Sequence, residues 1–196
     1  MAASAFNIFS KNNLKKIEQL IWDFFHQGVK NKKSVFHLPT IATFGEKTFN
    51  LRTVILRNVI RENRIIDFHT DHRSKKIMEL KKNNRIFLHV YDHKNKIQIQ
   101  SEGKAKILNK QKLNELVWNS FPKHSRKVYL IKKTPGNKIK NKKDLELLND
   151  KEGFKNFTIV KVKINKLVFL KLNTDFNKKA LIRYGIKNIN YHWLVP

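Results

Sequence analysis

The sequence predicts a mainly β (α+β) protein, an antiparallel barrel, closed or split, with short flanking helices. Three observations lead there. Runs rich in β-branched and aromatic residues follow one another along most of the chain, short polar turns or short helices separate them, and neither a βαβ repeat nor a glycine-rich Rossmann turn occurs.

The elements can be justified in order. Leu14, Ile17, Leu20, Ile21, Phe24 and Phe25 recur at helical spacing and predict an amphipathic first helix capped by Ser10 or Asn12. A lysine-rich link over 30–33 leads to three successive strands over 35–44, 49–59 and 64–70, turning at Gly45-Glu46 and at 61–63. The period changes over 74–84, where Ile77, Met78 and Leu80 fit a short helix. Residues 86–91 and 97–108 form a hairpin. Its second arm sets Ile97, Ile99 and Ser101 against Gln98 and Gln100, and Gly103 marks a bulge or a close backbone approach. A helix over 110–120 follows, running through Leu113, Leu116 and Val117. Residues 132–153, with Pro135-Gly136 and the basic run 138–143, read as a surface loop of a single domain spanning 1–196, in which 1–33 supplies the first helix and link. Residues 157–172 make a long final strand, and 193–196 end the chain.

Composition limits the chemistry. The 40% hydrophobic fraction and 14 Phe are too rich for a disordered chain. With no cysteine, disulfides, thiolate metal sites and thiol nucleophiles are excluded, and redox chemistry would need a bound cofactor. No apolar run reaches the roughly 18 residues that cross a bilayer, so the expectation is a cytoplasmic protein without a membrane partner. The net charge of +27 attracts nucleic acids, anionic surfaces or phosphorylated small molecules. The lysines are spread along the whole chain, which favours a generally basic solvated surface over a nucleic-acid footprint. No nucleophile elbow, P-loop or paired-carboxylate motif is present, and the pairs His69/His72 and His89/His93 fall in strands or turns, so no metal is expected.

A phosphate site needs cations and hydrogen-bond donors converging from different elements, best beside a helix N-terminus. Residues 52–57, Arg-Thr-Val-Ile-Leu-Arg, lie on a strand, and residues 70–76, Thr-Asp-His-Arg-Ser-Lys-Lys, run from a strand end into a helix start where Ser74 can cap. Together they form a candidate anion site.

These residues also carry a resemblance. Arg-x-Val-x-Leu-Arg, then Phe-x-Thr-Asp-x-Arg-Ser-x-Lys, then the Asn-Asn-Arg helix exit and Gln98 five residues before Gly103 resemble the FMN-binding split-barrel family related to pyridoxamine 5'-phosphate oxidase. The resemblance extends from the helix containing Trp22 to the terminal Trp-Leu-Val-Pro and is strongest over 52–103. It implies that Arg52, Lys75 and Lys76, with Ser74 and Arg73, hold the FMN phosphate. It further implies that Thr53 is among the cofactor-binding residues, that the backbone of Val54, Ile55 and Leu56 borders the isoalloxazine ring, that Arg57 faces ring and substrate, that His69 and Thr70 flank the cofactor, and that Gln98 hydrogen-bonds the flavin. The family's sites lie between two subunits, so a homodimer is implied. Trp118, Ser125-Arg126 and Tyr129 resemble a segment that approaches the partner's flavin.

The sequence departs from the family where substrate is recognised. An Arg-x-His-x-Arg pattern follows the last long strand of the vitamin oxidase, whereas residues 177–181 here read Asn-Lys-Lys-Ala-Leu. Lys179 keeps one cation, and Leu181 removes an expected flavin contact. The resulting expectation is an FMN-dependent oxidoreductase of unidentified substrate. The alternatives are a non-catalytic barrel that binds or stores a flavin or a tetrapyrrole-like ligand, and a basic nucleic-acid-binding module. The last would need exposed aromatic platforms, whereas Phe68, Phe87 and Phe169 read as core.

Overall fold

A computed structural model describes residues 13–108 and 111–196. Helix α1 (Leu14–Lys30) starts at Asn13, whose side chain accepts from the Lys16 amide at 3.2 Å. Ser10 and Asn12, the caps expected from sequence, lie outside the described residues, as does Lys110 at the expected start of a later helix. Ile17, Leu20, Ile21, Trp22 and Phe25 form the buried stripe of α1.

Residues 35–44 divide. Val35–His37 form a 3-10 turn capped by the Ser34 hydroxyl, and only Thr40–Phe44 are strand (β1). The expected strand over 49–59 also divides, into β2 (Phe49–Thr53) and β3 (Leu56–Ile60). No glycine or proline marks that break. The Val54 amide bonds instead to the Pro39 carbonyl at 3.0 Å, which takes it out of the ladder. Strand β4 (Ile65–Asp71) follows a turn in which Arg64 adopts a left-handed φ of 60°. Helix α2 (Lys75–Lys82) and the hairpin β5 (Arg85–Asp92) and β6 (Ile97–Ile107) come next, close to the sequence expectation.

The helix α3 (Gln111–Ser120) leads into a short turn of helix, α4 (Lys123–Arg126). Leu116, expected on its buried face, is 64% exposed, and Trp118 is buried in its place. The strap over 130–148 returns to α5 (Asp150–Asn156), which is closed by a capping box between Asn149 and Glu152. The 15-residue β7 (Phe157–Lys171) is long as expected, but it is not final. Strands β8 (Lys178–Tyr184) and β9 (Ile189–Leu194) follow, hidden in the sequence by dense Lys and Asn that weaken the alternation of Ala180, Ile182 and Tyr184.

All pairings are antiparallel. The sheet runs β2-β1-β5-β6-β7-β4-β3, with β8 and β9 added beside the second half of β7. It wraps a core without closing, so the split rather than the closed barrel is formed. At Gly103 the β6–β7 register shifts, and a Cβ there would lie 2.6 Å from the Lys163 carbonyl oxygen, so the bulge requires glycine.

Two hydrophobic clusters result. The larger fills the barrel and receives α1, which is tied to β8 by a buried chain: Trp22 Nε1 donates to the Tyr184 hydroxyl at 2.8 Å, and that hydroxyl donates to Glu18 Oε1 at 2.8 Å. The smaller joins Leu108, Trp118, Tyr129, Phe157 and Ile159 on the outer face of β7, under α3. It brings the segment after α3 over the strand ends that carry the site.

Candidate functional site

A cleft of about 770 Å³ opens between the barrel and the strap. Its floor is the β2–β3 junction, where Arg52, Thr53, Val54, Ile55 and Arg57 line it, together with His69, Thr70 and Asp71 at the end of β4 and Lys76 in the first turn of α2. His124, Ser125, Val128 and Tyr129 form one wall and residues between 131 and 145 form the roof. Because Val54 and Ile55 leave the ladder, their backbone borders the cleft rather than a neighbouring strand.

The cations cluster at one end. Lys76 Nζ donates to Thr70 Oγ1 at 2.9 Å and to Ser74 Oγ at 3.2 Å. Burial, reinforced by the neighbouring Arg52, lowers the Lys76 pKa, while Asp71 and Glu79 oppose the shift. Arg52 is oriented from behind: it contacts the Thr43 hydroxyl and forms a 3.2 Å ion pair with the buried Glu79, which also accepts from Thr43 and, at 2.7 Å, from Asn50. This carboxylate holds Arg52 in place and neutralises part of its charge.

At the other end, Arg57 lies over the Phe121 ring, 5.4 Å from its centroid. His69 packs against Phe121 and Phe157, both at 5.2 Å between ring centroids. Burial, aided by the Arg57 charge, pushes the His69 pKa down to about 3, so the ring is neutral near pH 7. The Arg57 Nε and His69 Nδ1 atoms are buried without a hydrogen-bond partner. Two orphaned polar atoms on one cleft are costly unless a bound molecule or water satisfies them.

Several residues singled out in the sequence stand elsewhere. Leu56 turns into the barrel core and is 2% exposed. Ser74 occupies the cap position of α2, yet its hydroxyl makes no capping bond and instead meets Thr70 and Lys76 beneath the cleft. Arg73 points away: it pairs with Asp71 at 2.7 Å and donates to the Ile131 and Lys132 carbonyls, both at 2.9 Å, which fastens the strap to β4. Lys75 is exposed outside the lining, and Gln98 is half-buried on β6 opposite Tyr91 and Leu170. Trp118 is core and donates to Asp150, which also pairs with Arg126 at 2.9 Å. The segment 124–129 therefore approaches this chain's own cleft. Residues 177–181 do not line it.

Asp71 and the strap line the cleft without having been singled out in the sequence, and Tyr129, expected near a partner's flavin, lines this chain's own cleft. Burial raises the Tyr129 pKa to about 12, keeping the phenol protonated. The Asp71-x-Arg73 spacing was a readable signal for a local ion pair; nothing local announced the strap.

The fold agrees with the comparisons. Residues 17–109, just under half of the chain, match the family described as pyridoxamine 5'-phosphate oxidase, FMN-binding domain. One similar structure is a pyridoxamine 5'-phosphate oxidase-related, FMN-binding protein from Nostoc punctiforme, with a TM-score of 0.75 and 16% identity, covering 91% of this chain and 96% of that one. Another is PhzG from Burkholderia lata, solved with tetrahydrophenazine-1-carboxylic acid, with a TM-score of 0.73 and 13% identity over 96% of both chains. At such identities the likeness is one of fold. No curated protein matches the sequence.

Proposed function

We propose that the cleft binds FMN and that the protein is a flavin-dependent oxidoreductase acting as a homodimer. The observation that carries this reading is the convergence of Lys76, Thr70 and Arg52 from three elements at one end of a cleft large enough for a flavin. Lys76 and Thr70 would hold the phosphate, with Arg52 adding charge and Ser74 supporting Lys76. The backbone at Val54 and Ile55, outside the strand ladder though its Val54 amide is bonded to Pro39, would border the ring, and the orphaned Arg57 Nε and His69 Nδ1 would find partners on the ligand.

Bound flavin would accept hydride or electrons from a substrate, chemistry that no side chain here supplies. The chain's own residues bind, orient and exclude water; Phe121 and the strap cover the Arg57 end. A neutral His69 can donate or accept a hydrogen bond near pH 7 without adding charge beside Arg57. Gln98 and residues 177–181 lie outside this chain's cleft, and a second copy would supply such groups in a symmetric pair.

Titration of the purified protein with FMN, FAD and riboflavin, followed by absorbance and fluorescence, tests the reading. FMN should bind most tightly, because the cations suit a terminal phosphate and no adenosine site is recognisable. Equal affinity for riboflavin would remove the phosphate site. Reduction of the bound flavin by candidate donors separates an enzyme from a storage barrel.

A further inference from the structure

The end of the cleft away from Lys76 carries a cation that the fold leaves without a counter-charge. Arg57 forms no ion pair or hydrogen bond among the described residues, and its Nε is buried without a partner. The neighbours cannot compensate it: Phe121 covers one side of the guanidinium at 5.4 Å, and His69 is neutral near pH 7. Among the described residues Asp71 is the one carboxylate in the lining, and both of its oxygens are taken by Arg73. The other cations of the floor differ, since Arg52 has Glu79 and Lys76 has two hydroxyls. A half-buried charge beside rings is costly unless a ligand brings the opposite one.

The roof over the cleft is apolar. Ile131, Ile139 and Leu145 of the strap line it, and Val128 and Tyr129 stand on the adjoining wall. Tyr129 is 6% exposed and its phenol feels the Arg57 charge, which puts wall and guanidinium near each other. Arg73 fixes the start of the strap through the Ile131 and Lys132 carbonyls. The strap follows residues 17–109, so the family model does not account for this roof. Its lysines are exposed and concentrate anions at the mouth of the cleft.

We infer that, with FMN at the Lys76 end, the space between Arg57 and the strap binds an apolar organic monocarboxylate, its carboxylate on the Arg57 guanidinium and its body under Ile139 and Leu145. This rests on the flavin reading given above. A carboxylate matches the guanidinium fork in shape and cancels its single charge. A phosphate dianion would keep a charge that the apolar roof neither solvates nor pairs, and a neutral ligand would leave Arg57 as it is.

The probes are 2-naphthoate and 2-naphthalenemethanol, which share a body and differ in charge. The full-length protein is saturated with FMN, as read by a fluorescence titration, and each probe is then titrated by calorimetry. Naphthoate should bind about tenfold or more tightly than the alcohol, the gain of a charge-assisted pair. Arg57→Met should bring the two affinities within about twofold, whereas Lys143→Met, the same charge change outside the lining, should keep the preference. Ile139→Ser should weaken both probes by about threefold or more and preserve their ratio, because it removes apolar contact alone. Ile139 is 37% exposed, so this variant reads the roof even if thermal melts show Arg57→Met to be unstable. Equal affinities in the parent, a preference that survives Arg57→Met, or no effect of Ile139→Ser would overturn the inference. So would 2-naphthyl phosphate binding the FMN-loaded protein about tenfold more tightly than naphthoate, which would make this end a second phosphate site. A parent that takes up no FMN removes the flavin reading and this inference together; one that takes up FMN but holds both probes alike removes this inference alone.

Discussion

Lys76 Nζ sits 2.9 Å from Thr70 Oγ1, joining the first turn of α2 to the end of β4 at the cationic end of the cleft. The ammonium is half-buried, and its two hydroxyl partners leave one of its three donors for a ligand. Lys76→Ala should therefore weaken FMN by about 1.5 to 3 kcal/mol while changing riboflavin little. Lys143→Ala, in the strap but outside the cleft lining, should change neither. Parallel fluorescence titrations with the two flavins read the difference, and a folding defect would lower both affinities alike.

Glu79 should be more important to the fold than to any ligand. Its buried carboxylate accepts from Thr43, Asn50 and Arg52, so Glu79→Ala leaves Arg52 without its counter-charge and should cost about 3 kcal/mol in urea unfolding. Arg52→Ala should cost less, since the carboxylate keeps Thr43 and Asn50 as donors. A smaller loss for Glu79→Ala than for Arg52→Ala would contradict this account.

The burial of His69 sets an acid limit on stability. The folded imidazole stays neutral down to about pH 3, whereas the unfolded one takes up a proton below about 6.5. The unfolded state therefore binds the extra proton between those values, and stability contributed by this group is present above 6.5 and falls by about 1.4 kcal/mol per pH unit below it. His69→Phe should flatten the acid side of the urea stability profile by one proton. An unchanged slope would mean that the ring titrates normally in the fold.

Sedimentation with flavin absorbance followed in parallel tests the proposed dimer. If the site is completed by a second copy, dilution to monomer should release the cofactor, because binding and association are then linked. A monomer that keeps its flavin would place the whole site in one chain.

Pyridoxamine 5'-phosphate should reduce bound flavin slowly. Asn177 and Lys179 stand where the resemblance expects the Arg and His that orient it, Leu181 stands where it expects an Arg supporting the flavin, and hydride transfer depends on near-contact geometry. Anaerobic mixing at saturating concentration, beside a chemical reductant, is the measurement. Rapid bleaching by the vitamin compound would show that other cations have taken over.

The sequence was most legible where local chemistry decides structure. The β5–β6 hairpin shows this in its alternation of Ile97, Ile99 and Ser101 against Gln98 and Gln100, and Gly103 marked a real register shift. The motifs over 52–103 fall inside the region, residues 17–109, that matches the family model. It was less legible where a distant partner decides. Val54 leaves the strand because of Pro39, a bond that no property of residues 52–57 announces. Arg73 is drawn from the anion site by Asp71 and by two strap carbonyls 58 and 59 residues away. Phe87, expected in the core, faces outward and is half-buried, because a residue reads the same from either side of a strand until the register fixes its face.

Strand β7 is the wall shared by both hydrophobic clusters: Phe157 and Ile159 belong to the smaller, and Val160, Val162 and Ile164 to the larger. Parting α3 from the barrel would open the smaller cluster, and displacing β7 would open both. The strap makes no comparable demand. It is held to the frame by the Arg73 bonds and by Leu130 packed on the smaller cluster, while a bridge between Ile131 and Leu147 and an exposed ion pair between Lys132 and Glu146 join its two arms to each other. Admission of a ligand would then resemble lifting a latch from a rigid frame, with the work of opening concentrated in the Arg73 bonds.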